Sequence, residues 1–304
     1  MMDSLNFPVG ARDRDVADAM RVNRRASELM MLPSDWKGGV DLPERCIVQL
    51  KHNGFHLGYR GDDGPFTREG VPFACASHLV PGLEAVDQAL LILTGERHAL
   101  FGEYVHADGF EAVLADFQRG VGSGIVMLFD AVPLDAYAGR APSPLLWQRL
   151  AYLKSAMDRA GGAARNVGVG MPPYSTFKGE ARDNIEIAVA AVWECGEEGF
   201  VVKDADSPYE RAKSRHWRKL KRVETIDVPI IEVRTNLMGK LKSIDVALPG
   251  GGETNVPVGF STADRDHPKR FRAGAIVEIK HNGLRDNGTP ISPVYLRLRP
   301  DKEN

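Results

Sequence analysis

The sequence predicts an α+β protein in two parts, helices and antiparallel sheets over residues 1–225 followed by a small all-β domain over 226–304. Three observations carry this. Helical and strand patterns come in runs rather than strict alternation, which argues against a doubly wound parallel sheet. Beyond Asp227 five short strand patterns fall within about eighty residues, separated by Asn- and Gly-rich turns. With 304 residues, 43% of them hydrophobic, there is material for two cores.

The elements follow in order. Residues 13 to 31 carry Val16, Met20, Val22, Leu29 and Met30 among arginines and acids, an amphipathic helix. From Cys46 the pattern turns to strands, Cys46 to Lys51 and Phe55 to Arg60, then a turn at Gly61-Asp62-Asp63-Gly64-Pro65. Strands are expected at Ala99 to His106, Gly124 to Val132 and Gly199 to Lys203, and helices at Pro142 to Ala160 and Ile185 to Cys195. The second part offers Val228 to Thr235, Lys240 to Leu248, Thr254 to Val258, Ala275 to Lys280 and Val294 to Leu298. Five strands in so short a span suit a small barrel, for which the OB-fold is the natural candidate.

The formal net charge is only −2, so the whole chain has no bulk attraction for polyanions. Charge is concentrated instead: between Lys203 and Arg222 eight Lys and Arg face three acids, Asp204, Asp206 and Glu210. That local excess suits phosphate contact. Cys46, Cys75 and Cys195 form no Cys-x-x-Cys pair, so reduced thiols are expected and neither zinc nor disulfides. No apolar run approaches a membrane span and the N-terminus lacks a signal pattern, which points to a cytosolic protein.

Six motifs follow one another: Lys51-His52-Asn53-Gly54, Thr67-Arg68-Glu69-Gly70, Phe101-Gly102-Glu103-Tyr104-Val105, Glu198-Gly199-Phe200-Val201-Val202-Lys203, Trp217-Arg218-Lys219-Leu220-Lys221 and Arg299-Pro300-Asp301-Lys302. The set resembles the signature of the covalent nucleotidyltransferases, in particular small ATP-dependent DNA ligases of the phage type, over roughly residues 45 to 302. Lys-His-Asn-Gly recurs at Lys280 to Gly283, but that copy ends a strand at a turn and has no acid or lysine motifs downstream. Lys51 is therefore the nucleophile candidate.

A lysine is protonated at neutral pH and attacks only when its pKa falls, through neighbouring cations or burial. Lys203, Lys219 and Lys221 are the expected neighbours. Lys219 and Lys221, two apart, share one strand face, where two ammonium groups repel unless an anion lies between them. The resemblance implies a nucleotidyltransferase (adenylation) domain followed by the OB-fold. It implies that Lys51 takes AMP from ATP and passes it to a 5′-phosphate at a nick in double-stranded DNA, where the adjacent 3′-hydroxyl displaces it. It also implies that Glu103 contacts ribose or metal, that Glu103 and Glu198 hold Mg²⁺ (or Mn²⁺), and that Arg68 holds a phosphate or the ribose. Gly102, just before Glu103, is expected to allow close approach of a ligand. Phe129 would stack on adenine and Gln49 would contact its edge, while Arg299, Asp301 and Lys302 would orient the pyrophosphate. A monomer is expected, with grip on DNA dominated by phosphate contacts and so strongly salt-dependent.

Two residues depart from the family pattern, Asn53 in place of an aspartate and His56 in place of an arginine. Arg60 lies on the same strand face as His56 but about 13 Å further along, too far to substitute. The alternatives are an RNA ligase, a GTP-using capping enzyme of the same chemistry, or a catalytically weakened protein that binds nucleic-acid ends. The barrel with its Arg-x-Asp-Lys ending disfavours many RNA ligases, and the Thr-Arg-Glu-Gly segment favours DNA joining over capping.

Overall fold

In a computed structural model the described residues are 29–36, 43–178, 199–221, 224–281, 283–285 and 287–302. The chain divides into two compact units, Met1–Leu220 and Lys221–Asn304. Most of the helix expected at 13 to 31 and the whole of that at Ile185 to Cys195 lie outside the described residues.

The first unit holds two five-stranded sheets. One has the order β1-β10-β9-β2-β8, from β1 (Leu32–Asp35), β2 (Arg45–Lys51), β8 (Tyr174–Lys178), β9 (Gly199–Asp204) and β10 (Lys213–Lys221). The other runs β4-β3-β5-β6-β7, from β3 (Phe55–Arg60), β4 (Gly64–Thr67), β5 (His98–Val105), β6 (Ile125–Pro133) and β7 (Val169–Gly170). Antiparallel pairing predominates as expected, except that β1–β10 and β6–β7 are parallel.

Three helices cover the second sheet: α1 (Val80–Thr94), α2 (Phe110–Arg119) and α3 (Leu146–Ala160). Leu57, Leu100, Tyr104 and Leu128 from the strands share one buried cluster with Leu83, Leu90, Leu150 and Leu153 from the helices. The opposite face of β5 carries Ala99 and Phe101, packed with Met30, Phe66 and Tyr137. Period-two alternation therefore leaves Glu103 on the face turned away from α1 and α3. Sequence reasoning found α3 but not α1 or α2. The buried residues of α1 include Gly82, Leu83, Val86, Asp87, Ala89 and Leu90 while Ile92 and Leu93 stay exposed, so its apolar residues do not fall on a single stripe.

The second unit is one sheet in the order β13-β12-β11-β14-β15, from β11 (Glu224–Thr235), β12 (Leu241–Ala247), β13 (Glu253–Val256), β14 (Ile276–His281) and β15 (Val294–Leu298). The five strands match those expected, β15 to the residue. Beyond β13 the chain makes a single parallel bridge, Val258 to Val294, and Tyr295 N donates to Val258 O at 2.9 Å, which stitches the two ends of the sheet together. Val228, Ile244, Val256, Val277, Ile279 and Tyr295 fill its core with Phe260 and Phe271. The second Lys-His-Asn-Gly copy begins at the end of β14, where His281 is buried and Nδ1 meets Gly283 O, a structural setting. No helix among the described residues is long and apolar enough to cross a membrane.

Candidate active site

Strand alternation explains why Lys51 and its neighbours converge. On β2, Cys46 and Val48 pack with Val202, Leu220 and Phe177 on one face. Ile47, Gln49 and Lys51 therefore point the other way, into the cluster that holds Trp217 and abuts the second sheet. On β9, Lys203 shares the inward face with Val201. Lys203 Nζ donates to Phe129 O on β6 at 3.2 Å and lies 3.7 Å from the Trp217 ring centroid and 4.8 Å from that of Phe129. The two sheets face each other across this lysine.

The turn between β2 and β3 is as tight as the motif suggests. A Cβ on Gly54 would run into Tyr104 O, with Val105 Cγ1 and Glu103 Cγ beside it. Gly54 thus lets the strand that carries Lys51 turn directly over β5. Gly102 has another role than the one its place beside Glu103 suggests. A Cβ there would meet Val126 Cγ2, Met127 O and Leu128 Cδ2 of β6, so its space is filled by the neighbouring strand rather than left for a ligand.

His56 stands at the centre of the expected residues. It pairs with Glu103 across β3 and β5, and its Nδ1 is 3.8 Å from Glu103 Oε2. Its ring meets Phe129 edge to face at 5.0 Å. Burial, reinforced by the positive charges of Arg68, Lys203 and Lys51, pushes its pKa down to about 3. His56 is thus a neutral imidazole at pH 7, and its Nε2 is buried with no hydrogen-bond partner among the described residues. Arg60, four residues further along β3, is engaged elsewhere: it pairs with Asp63 at 3.0 Å and lies over the Phe66 and Tyr137 rings.

Lys203 is 2% exposed, and burial brings its pKa down to about 7; Asp130 opposes the fall and Arg149 adds to it. Those two form a buried bidentate pair behind Phe129, Arg149 Nε to Asp130 Oδ1 at 2.8 Å and Nη2 to Oδ2 at 3.0 Å. Gln49 is 1% exposed, and neither its amide nitrogen nor its amide oxygen has a partner among the described residues. A buried unmade hydrogen bond costs about 1–3 kcal/mol, so Gln49 reads as a group awaiting a ligand with both a donor and an acceptor.

The remaining candidates are placed as follows. Lys51 Nζ donates to His52 O at 3.3 Å. Arg68 follows β4 in a turn where Gly70 N bonds Thr67 O, and its guanidinium meets Glu69 at 2.7 Å. Lys219 shares the Trp217 face of β10, and its ammonium is 3.2 Å from Asp35. Lys221 closes β10, but its side chain, like the whole of Glu198, lies outside the described residues. In the second unit Arg299 contacts Asp227 at 3.1 Å and Asp301 at 2.8 Å, and Lys302 contacts Asp227 at 2.7 Å. The Arg299 hydrogen bond holds the Asp301 carboxyl well below its ordinary range. The Trp217 cage and the Asp130–Arg149 pair escaped sequence reasoning, although two-residue spacing from Lys219 could have placed Trp217 on the inner face.

Comparison with known proteins completes the picture. Residues 234–299 match the model of the DNA ligase OB-like domain. A DNA ligase from Haemophilus influenzae is 28% identical over 103 residues, 33% of this chain and 37% of that protein, so the match spans little more than a third of that relative. Among solved structures, a Lig E DNA ligase superposes with a TM-score of 0.66 at 18% identity, covering 89% of this chain and 98% of that one. The chain has the fold of the ATP-dependent DNA ligases. The bacteriophage T7 ATP-dependent DNA ligase, solved with ATP, shares this ligase fold over 90% of this chain and 99% of its own, at 14% identity and a TM-score of 0.55. A protein designated Pmar-Lig_PreS3 reaches 0.75 at 18% identity over 90% of this chain and 68% of that one. The resemblance read from the motifs is borne out in the ligase fold and in the OB-like domain.

Proposed function

We propose that the protein is an ATP-dependent DNA ligase that seals nicks through a lysyl-AMP intermediate on Lys51. In this reading residues 1–225 adenylylate, residues 226–304 form the OB-fold domain, and the enzyme acts as a monomer. The observation that carries it is the setting of Lys51, whose strand shares its inner face with an unsatisfied Gln49 and whose charge reaches a buried, neutral His56 together with those of Arg68 and Lys203. Cations around an inward strand end fit a polyphosphate, and the orphaned amide fits the edge of a base.

The Lys51 Nζ lone pair would attack the α-phosphorus of ATP, the bond to the bridging oxygen would break, and pyrophosphate would leave while Nζ loses a proton to solvent. Lys203 and Lys219 would neutralise phosphate oxygens, and Lys203 would become fully protonated as the anion arrives. Lys221 would assist from the end of the same strand. Phe129 already holds Lys203 against one ring and His56 against its edge, so an adenine would take the remaining ring face. A nick 5′-phosphate oxygen would then displace Lys51 from the AMP phosphorus, and Nζ would regain its proton. Last, the 3′-hydroxyl oxygen would attack the 5′-phosphorus, losing its proton to solvent, and AMP would leave as the phosphoanhydride bond breaks. Arg68, exposed beside Glu69, would hold the 5′-phosphate or the ribose. Arg299, Asp301 and Lys302 would orient the pyrophosphate in the first step.

Glu103 fits a share in Mg²⁺ (or Mn²⁺) binding. It is a half-buried carboxylate beside the cationic cluster, and Mg²⁺ takes one or two carboxylates and completes its shell with phosphates and water. Glu198 would be the second. When bound, the ion supplies charge neutralisation on the triphosphate.

Covalent labelling tests the reading. Protein freed of bound AMP is mixed with α-labelled ATP and Mg²⁺, resolved on a denaturing gel, and chased with nicked duplex. A label that needs Lys51 and vanishes as the nick seals is expected. A label that persists with DNA but is discharged by RNA ends would give the RNA-ligase reading. Absence of label from both ATP and GTP would leave an end-binding protein in which Asn53 and His56 have cost the chemistry.

A further inference from the structure

β11 and β12 are joined by a five-residue turn, Asn236 to Lys240, that is built to hold its shape. Asn236 N donates to Lys240 O at 2.8 Å and Gly239 N to Asn236 O at 2.9 Å, while Asn236 Oδ1 accepts from Met238 N at 2.9 Å and Lys240 N at 3.0 Å. Gly239 takes the left-handed conformation that closes the turn (φ +75°). At the tip Leu237 is 108% exposed and Met238 80% exposed. A turn this well bonded has no structural need of two large apolar side chains in water, and neither belongs to the core of this unit.

The surroundings are cationic. From Arg234 to Arg272 seven Lys and Arg face four Asp and Glu. Three of those acids are already engaged, Asp245 by Arg234, Asp264 by Arg270 and Asp266 by Lys240. Lys240 and Lys242 flank the tip, and Arg265 is held beside them by bonds to Leu241 O at 3.1 Å and Lys242 O at 3.3 Å. An apolar tip followed by cations at the start of β12 matches a duplex, whose minor groove, about 6 Å wide, admits a narrow tip beside its phosphates. Leu and Met are among the side chains that wedge between base steps there.

We infer that Leu237 and Met238 form a wedge that enters the minor groove of duplex DNA, with Lys240, Lys242 and Arg265 on the flanking phosphates. The inference rests on DNA being the substrate. The turn lies in the OB-like segment, outside the nucleotide-binding machinery proposed above, so loss of the wedge leaves Lys51 labelling intact.

The test uses the full chain and a nicked duplex carrying 2-aminopurine at steps beside the nick. Wild type should raise the 2-aminopurine fluorescence as a step unstacks. Leu237→Ser/Met238→Ser should abolish that rise and weaken binding roughly tenfold, with Lys51 labelling and the melting curve unchanged. Its salt dependence should keep the wild-type slope, because no phosphate contact is lost. Lys240→Gln/Lys242→Gln should instead lower the slope of log K against log salt by about two. Wild-type fluorescence and affinity in the Leu237→Ser/Met238→Ser protein would overturn the wedge. So would a shift of wild type, but not that variant, to dimers in sedimentation, which would assign the tip to self-association. Failure of Lys51 to label in wild type would remove the ligase reading, whatever the hairpin does.

Discussion

Lys203 should make the free protein less stable than it would be without it, and the cost should depend on pH in a defined window. An ammonium buried between Trp217 and Phe129 has its pKa lowered from 10.5 to about 7, chiefly by burial. That gap corresponds to on the order of 5 kcal/mol between charged and neutral forms. The folded pKa lies below the unfolded one, so the unfolded chain binds more protons between pH 7 and 10.5 and stability rises with pH there, by up to about 1.4 kcal/mol per unit. Below pH 7 the full cost is present; above 10.5 the lysine is neutral in both states and the cost is gone. Lys203→Met keeps the length of the chain and removes the charge. At pH 7 the variant should therefore be more stable than wild type by about 2–4 kcal/mol, with the two converging to within about 1 kcal/mol by pH 10. All four tryptophans, Trp36, Trp147, Trp193 and Trp217, precede residue 221, so urea titrations followed by tryptophan fluorescence report on the first unit alone. Parallel stability curves for the two proteins from pH 6 to 10, or a variant that is weaker at pH 7, would refute the argument. The same variant should lose Lys51 labelling, since the charge that costs stability is the one a triphosphate needs.

Three further outcomes follow from the same geometry. Gly54→Ala puts a methyl group against the Tyr104 carbonyl, so it should cost roughly 2–3 kcal/mol in urea melts and displace Lys51 enough to cut labelling at least about a hundredfold; a wild-type melt would contradict the contact. Arg149→Met leaves the buried Asp130 carboxylate without its bidentate partner and should cost about 3–5 kcal/mol, whereas Arg149→Met/Asp130→Leu should recover most of it. A double-mutant cycle with no coupling between the two positions would count against the pair. With His56 held neutral down to about pH 3, the rate of Lys51 labelling should show no ionisation near pH 6.5 that disappears in His56→Gln, and finding one would mean the imidazole titrates in the working range.

How much of this was legible depended on whether a feature is local in sequence. The strands of the second unit were readable because turn residues bound them and alternation is strong, and β15 was placed to the residue. Two-residue spacing sets Lys219 on the same strand face as Trp217, because strand geometry alone fixes that. What failed were relations that close only in three dimensions. The space beside Gly102 is taken by β6, a strand more than twenty residues away, so a ligand-facing reading of that glycine had no means of correction from the motif. The partner of Asp130 is Arg149, on a different element, and neither residue carries a local signal that announces the other. The α1 helix hid because its apolar residues are spread around its circumference, leaving no single stripe for a 3.6-residue period to reveal.

His56 and Gln49 turn this difference into an argument about where the site is. Sequence treats His56 as a deficit, an arginine missing from its place. The fold brings the positive charges of Arg68, Lys203 and Lys51 to bear on that position, so a guanidinium there would add a fourth and be repelled by them. A neutral imidazole relieves that repulsion at the expense of leaving Nε2 unsatisfied. Gln49 leaves both ends of its amide unsatisfied on the strand that carries Lys51. Three costs therefore accompany this site: a lysine whose pKa is lowered to about 7, an orphaned imidazole nitrogen and an orphaned amide. Folding alone gives no return on any of them, and sequences tend to depart from the local rules where function requires it. An anionic ligand with a heterocyclic edge and hydroxyl groups relieves all three together, recharging Lys203, bonding His56 Nε2 and pairing both ends of Gln49. The stability gained on adding ATP should accordingly exceed that gained with inorganic triphosphate, which can recharge Lys203 but has nothing to offer Gln49.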